Sequence, residues 1–133
     1  MREFHLQIVT PDGIVFDGDA EGILVRTDEG DVEILCGHTD FFATVKTGRA
    51  KLTVGGEEKN ASASGGFISV KGGEVKLITT TFEFAEDIDL KRAEAARDRA
   101  EQALRTATGD KAILVAKAKL ARAISRITVA NLK

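Results

Sequence analysis

The chain has 133 residues, enough for one ordinary domain or a small domain with an appendage. Its 43% hydrophobic and 30% charged residues exclude a disordered chain. Cys36 is the only cysteine, which excludes an intrachain disulfide and a thiol–metal cluster and fits a reducing compartment. The start, Met1-Arg2-Glu3-Phe4-His5, has no apolar leader core, and no run approaches the ~18 apolar residues of a membrane span. The expectation is a cytosolic protein, or one held at a membrane through partners.

The net charge of -2 hides a division. Residues 1–84 hold 8 Lys/Arg against 14 Asp/Glu, and residues 85–133 hold 11 against 7. An acidic first part and a basic second part suggest that the second part meets an acidic partner or ligand. All seven Phe lie before residue 85, so the two parts are built differently.

Residues 1–84 read as strands. Phe4, Leu6 and Ile8 alternate with His5, Gln7 and Val9. Short runs rich in β-branched and aromatic residues follow at 22–26, 32–35, 41–45, 50–54, 67–70 and 75–79. Pro11-Asp12-Gly13 predicts a tight reversal. Gly55-Gly56 and Gly72-Gly73 predict two-residue primed hairpin turns. Gly30, Gly48 and Gly65-Gly66 mark further expected reversals. Strands at this spacing predict an antiparallel β-sandwich or barrel, with the sandwich as the expectation. A parallel dinucleotide-binding fold is excluded, because no β-α-β alternation occurs.

Residues 85–133 read as an antiparallel helical hairpin. Asp87 is the expected N-cap of the first helix, with Asp89 in its first turn. Ala93, Ala96, Ala100, Ala103 and Ala107 form one seam. Thr108-Gly109-Asp110 breaks the helix, and Asp110 is the expected cap of the next. Ile113, Ala116, Leu120, Ala123, Ile127 and Ala130 form the facing seam. Alanine lets helix axes approach to ~8 Å. It also buries little area at ~25 cal/mol per Å2, so the hairpin is expected to be marginal by itself. Two readings stand: a hairpin packed permanently on the sandwich, or one that changes its arrangement.

No catalytic constellation is visible. His5 and His38 have no nucleophile or metal-ligand cluster at useful spacing, and Cys36 reads as packing in an apolar strand. No phosphate loop ending in Lys-Ser/Thr occurs. His38 beside Gly37 reads as a turn or interface residue. The second helix, Lys111 to Lys133, has six basic residues and no acidic one. Lys119, Arg122 and Arg126 fall on one face. That face is either solvated or answered by an anion. A free-standing adaptor or nucleic-acid-binding module using this helix is the alternative function; the acidic first part and the absence of Tyr and Trp stacking platforms weigh against it.

Four ordered strings resemble the epsilon subunit of bacterial F-type ATP synthases. They are Val9-Thr10-Pro11-Asp12-Gly13 with Val15-Phe16-Asp17-Gly18, Glu33 to His38, Ser64-Gly65-Gly66-Phe67, and Ile88-Asp89-Leu90-Lys91-Arg92-Ala93. The chain departs from the family at Glu33, Cys36, Thr39 and Asp40, where Gly, Pro, Ala and Pro are usual. The resemblance implies a non-catalytic rotor subunit of a proton- or sodium-translocating synthase, peripheral on the cytoplasmic side of the inner membrane. It implies that the sandwich (1–84) meets the gamma subunit and the c-ring, with His38 near those contacts. It implies that the hairpin (85–133) regulates, inhibiting ATP hydrolysis when Lys119, Arg122 and Arg126 engage an acidic segment of the beta subunits.

The resemblance also implies ATP as a regulatory ligand, with no required cofactor and no metal. Its site would comprise Glu83, Ile88, Asp89, Arg92, Ala93, Arg122 and Arg126. A folded hairpin would bring the three arginines together on phosphate oxygens. Ile88 and Ala93 would face the base, and Glu83 or Asp89 would accept from its amino group. The competing reading makes Asp89 and Arg92 an ordinary i, i+3 surface pair.

Overall fold

The computed structural model describes residues 2–132. Met1 and Lys133, the latter the last of the predicted basic residues, lie outside them. The strands are β1 (Phe4–Thr10), β2 (Gly13–Ala20), β3 (Gly22–Thr27), β4 (Gly30–Leu35), β5 (Phe41–Val45), β6 (Gly48–Val54), β7 (Glu57–Lys71) and β8 (Glu74–Phe84). A short 3-10 turn, Ala85–Asp87, leads into the helices α1 (Leu90–Thr106) and α2 (Asp110–Ala130).

The glycine pairs act as expected in two of three places. Gly55 and Gly56 have φ of 59° and 78°, and Gly72 and Gly73 have 58° and 81°. Positive φ at both central residues is what a primed hairpin turn requires. Gly65-Gly66 is different: it lies inside β7 and reverses nothing. The register of β7 with β8 runs on across it, from Ser64 opposite Thr81 to Gly66 opposite Thr79. On the other side, β7 pairs with β6 up to Ala63 and with β5 from Gly66. The glycines thus sit where one long strand changes neighbours. A Cβ on Gly66 would collide with the carbonyl oxygen of Ile78, so the close backbone approach excludes any side chain.

The sheet departs from the expected all-antiparallel pattern at one place. β1 pairs with β8 in parallel, Leu6 opposite Val75 through Val9 opposite Ile78. The six strands between them supply the long crossover that parallel neighbours need. The core is drawn from one face of each strand: Leu6, Ile8, Ile23, Val25, Ile34, Ile68 and Leu77 are fully buried.

The hairpin has a separate, smaller core. Ala85, Ile88, Ala93, Val129 and Ala130 form it, with Leu90 and Ile127 packed against them. Among the described residues, large apolar side chains from the sandwich do not enter this cluster. Along the seam between the helices Ala93, Ala100, Ala116 and Ala123 are buried as expected. Ala103 is exposed, and Leu104 turns inward in its place. The caps are shifted from the predicted positions. Asp89 caps α1, its side chain accepting from the Arg92 backbone N–H at 3.1 Å. Asp87 closes the 3-10 turn, which uses the residues that a cap at 87 would have begun. Gly109, with φ of 89°, caps α2, and Asp110 is the first helical residue. An acidic residue there still complements the helix dipole.

Candidate functional site

Where the ends of β1 and β8 meet the start of α1, a cleft of about 480 Å3 opens, within the range of small-molecule sites. Thr10 and Asp12 line it from the end of β1 and the following turn, and Thr81 and Glu83 from β8. Asp87, Ile88 and Asp89 line it from the linker. α1 contributes Arg92, Ala93, Ala96 and Arg99, and α2 contributes Arg126. The cleft therefore exists only while the hairpin lies folded on the sandwich.

Local sequence explains the placements at the start of α1, and a remote contact that of Arg126. Asp89 is an extended N-cap, so it holds its carboxylate against the first turn of α1. Capping then sends Arg92, Ala96 and Arg99 along one face, at spacings of four and three. Arg126 is brought in by Glu83: its Nε donates to Glu83 Oε1 at 2.6 Å, and both side chains are about one-third exposed. The guanidinium groups of Arg92 and Arg99 meet no carboxylate among the described residues. A cleft with two uncommitted guanidiniums and a third beside them is suited to a polyanion.

Six of the seven residues singled out for a nucleotide line this cleft: Glu83, Ile88, Asp89, Arg92, Ala93 and Arg126. Arg122 does not; it is half-buried on α2 outside the lining. Arg99 stands in the cleft instead. The 92, 96, 99 spacing on a predicted helix was the available signal for it, whereas Thr10 and Asp12 carry none, because only tertiary packing brings the first turn of the sandwich to the helices. The Asp89–Arg92 link is a cap to the backbone N–H, not a surface ion pair. Glu83 Oε1 accepts from the Arg126 Nε–H in this arrangement.

The basic face is also divided. Arg126 is drawn inward by Glu83, while Lys119 stands exposed near the hairpin tip, beside a second cleft lined by Thr108 and Gly109. His38 is half-buried at the other end of the molecule's sandwich part. Its Nδ1–H donates to the Thr39 carbonyl at 2.7 Å, and its ring meets Phe41 edge-on with centroids 5.5 Å apart.

Residues 3–85 match the family model described as the beta-sandwich domain of the ATP synthase delta/epsilon chain. Residues 86–131 match its long alpha-helix domain. The chain belongs to the ATP synthase delta/epsilon chain family. Within this family it resembles bacterial epsilon chains over its whole length. It is 41% identical over 131 residues to the ATP synthase epsilon chain of Bacillus velezensis, covering 98% of this chain and 99% of that one. It is 36% identical to the epsilon chain of Ruminococcus albus, covering 100% of both. A chain in the mitochondrial ATP synthase of Euglena gracilis shares the fold with a TM-score of 0.82 at 22% identity, over 98% of this chain and 82% of that one. A chain from the central stalk and c-ring of the Tetrahymena thermophila enzyme does so with a TM-score of 0.59 at 15% identity, over 98% and 96%. Delta/epsilon membership makes the chain an accessory subunit of the synthase rather than a catalytic one, and it displaces the reading as a free-standing nucleic-acid module. No helix among the described residues is long and apolar enough to cross a membrane.

Proposed function

We propose that this ATP synthase stalk subunit carries its hairpin as an ATP-responsive brake on hydrolysis. One observation supports the reading most: the arginine-lined cleft takes residues from the sandwich, α1 and α2 together. A ligand that binds it binds the folded-down hairpin and no other arrangement. Such a ligand shifts the population toward that state. At 100 times its dissociation constant it contributes about 2.7 kcal/mol, enough to govern a hairpin with a small core.

In this reading Arg92, Arg99 and Arg126 receive the phosphates. Ile88 and Ala93 offer the apolar wall for the base. The sandwich is the rigid coupling to the gamma subunit and the c-ring, at the cytoplasmic face of the bacterial inner membrane. When ATP is scarce the hairpin leaves the sandwich. Arg126 is then released to join Lys119 and Arg122 against an acidic segment of the beta subunits, and backward rotation stops.

Isothermal titration of the full chain with ATP tests the ligand. Binding should occur with wild type and be lost in the Arg92→Ala/Arg126→Ala variant. Equal heats for the two would reject the phosphate clamp. Removing residues 85–133 tests the brake: the reconstituted complex should assemble and hydrolyse ATP faster. Unchanged hydrolysis would reject it.

A further inference from the structure

Two polar contacts join α2 to the sheet, one of them the Arg126–Glu83 bond at the cleft and the other a buried hydroxyl pair. Ser125 and Arg126 are consecutive on α2. Their partners, Ser62 on β7 and Glu83 on β8, are directly opposite each other in the sheet register. Cross-strand partners present their side chains on the same face. The helix thus sets two successive residues on one paired position of the sheet. Ser62 Oγ and Ser125 Oγ are 2.7 Å apart and buried, with 4% and 8% exposure. Beside them the Arg126 Nε–H donates to Glu83 at 2.6 Å.

We propose that Ser62, Glu83, Ser125 and Arg126 form a two-point polar clasp that sets how readily the hairpin leaves the sandwich when no nucleotide is bound. The inner point is a hydroxyl pair closed to water. Each hydroxyl depends on the other, because opening one side without admitting water strands a buried polar group. The outer point is a charge-assisted bond at the rim of the cleft. The two differ in kind. The hydroxyl pair fixes where α2 sits on the sheet. The ion pair fixes which way Arg126 points, and so aims a guanidinium into the cleft before any anion arrives. Ser62 and Ser125 are therefore positioning residues for the site.

The clasp rests on the reading that the hairpin leaves the sandwich, but its test needs no ATP. Amide hydrogen exchange is followed in the nucleotide-free full chain, comparing α2 with the strands β6 and β7. Ser62→Ala should speed exchange in α2 by roughly tenfold or more, the effect of stranding one buried hydroxyl, while the strands keep their rates. Glu83→Gln should also speed α2 selectively. The double variant Ser62→Ala/Ser125→Ala leaves no stranded hydroxyl, so its α2 rates should fall below those of either single variant. Unchanged α2 exchange in both Ser62→Ala and Glu83→Gln overturns the clasp. Equal acceleration of helix and strands overturns it too, because the residues would then serve general stability. If wild-type α2 exchanges only together with the strands, the mobile hairpin itself is rejected, whatever ATP does.

Discussion

The apolar part of the hairpin's attachment gives the sharpest quantitative expectation. Val129 is fully buried in the small cluster with Ala85, Ile88, Ala93 and Ala130. Val129→Ala removes two methyl groups, each about 0.8 kcal/mol in transfer free energy. The cavity left behind raises the total to roughly 2–3 kcal/mol. The cluster has few large members, so this loss is a substantial part of what holds α2 down. At 1.4 kcal/mol per decade, opening should become roughly 30- to 140-fold more frequent. Limited proteolysis with trypsin in the native state reads this directly, since cleavage after Arg126 needs α2 to leave Glu83 and to unfold locally. When closing is fast, the cleavage rate follows the opening equilibrium. Leu114→Ala is the control: Leu114 is 67% exposed on the same helix and should leave the rate nearly unchanged. Acceleration below about threefold in Val129→Ala, or equal acceleration in both variants, would refute the argument that this cluster anchors the hairpin.

Two further outcomes are expected. Gly66→Ala should lose at least ~3 kcal/mol of sandwich stability in urea unfolding, more than ordinary overpacking, because the new methyl meets backbone rather than a movable side chain. Retention of wild-type stability would show that β7 and β8 can separate there. His5 bridges three strands: its ring nitrogens lie 2.6 Å from Glu74 on β8 and from Asp17 on β2, and Asp19 of β2 is its register partner. The bond to Glu74, then that to Asp17, holds its pKa above the ordinary 6.5. A raised folded-state pKa adds stability below the unfolded value and loses it as pH rises through the folded one. The stability gap between wild type and His5→Gln should therefore be widest below about pH 6 and close at alkaline pH; a gap that widens with pH would contradict this.

Much of the fold is legible in local chemistry. Alternation of apolar residues marks β1 because one face of a strand must be buried. The Gly55-Gly56 and Gly72-Gly73 turns are legible because positive φ at adjacent residues is costly for other side chains. The change to a spacing of three and four after Phe84 marks the helices, and the alanine seams mark their facing sides. Gly65-Gly66 misleads for an equally physical reason. A glycine demanded by a backbone passing close by looks the same in sequence as a glycine demanded by a turn, and only the position of Ile78 tells them apart.

The candidate site divides along the same line. Residues 88–93 form one local motif, so their grouping is written in sequence, as is the supply of positive charge on both helices. Which arginine of α2 joins them is not. Arg99 enters the cleft and Arg122 stays out because α2 is seated on the sheet by Ser125 on Ser62, Arg126 on Glu83 and Val129 in the small cluster, and α1 packs on α2. Thr10 and Asp12 reach the site because β1 lies parallel to β8, bringing residues more than seventy positions apart to one sheet end. Sequence by itself determined the two helices, most of the strands, the family and the charge, but not β2 or the first half of β7. Tertiary structure decided the neighbours, since burial and pairing act between surfaces that are remote along the chain.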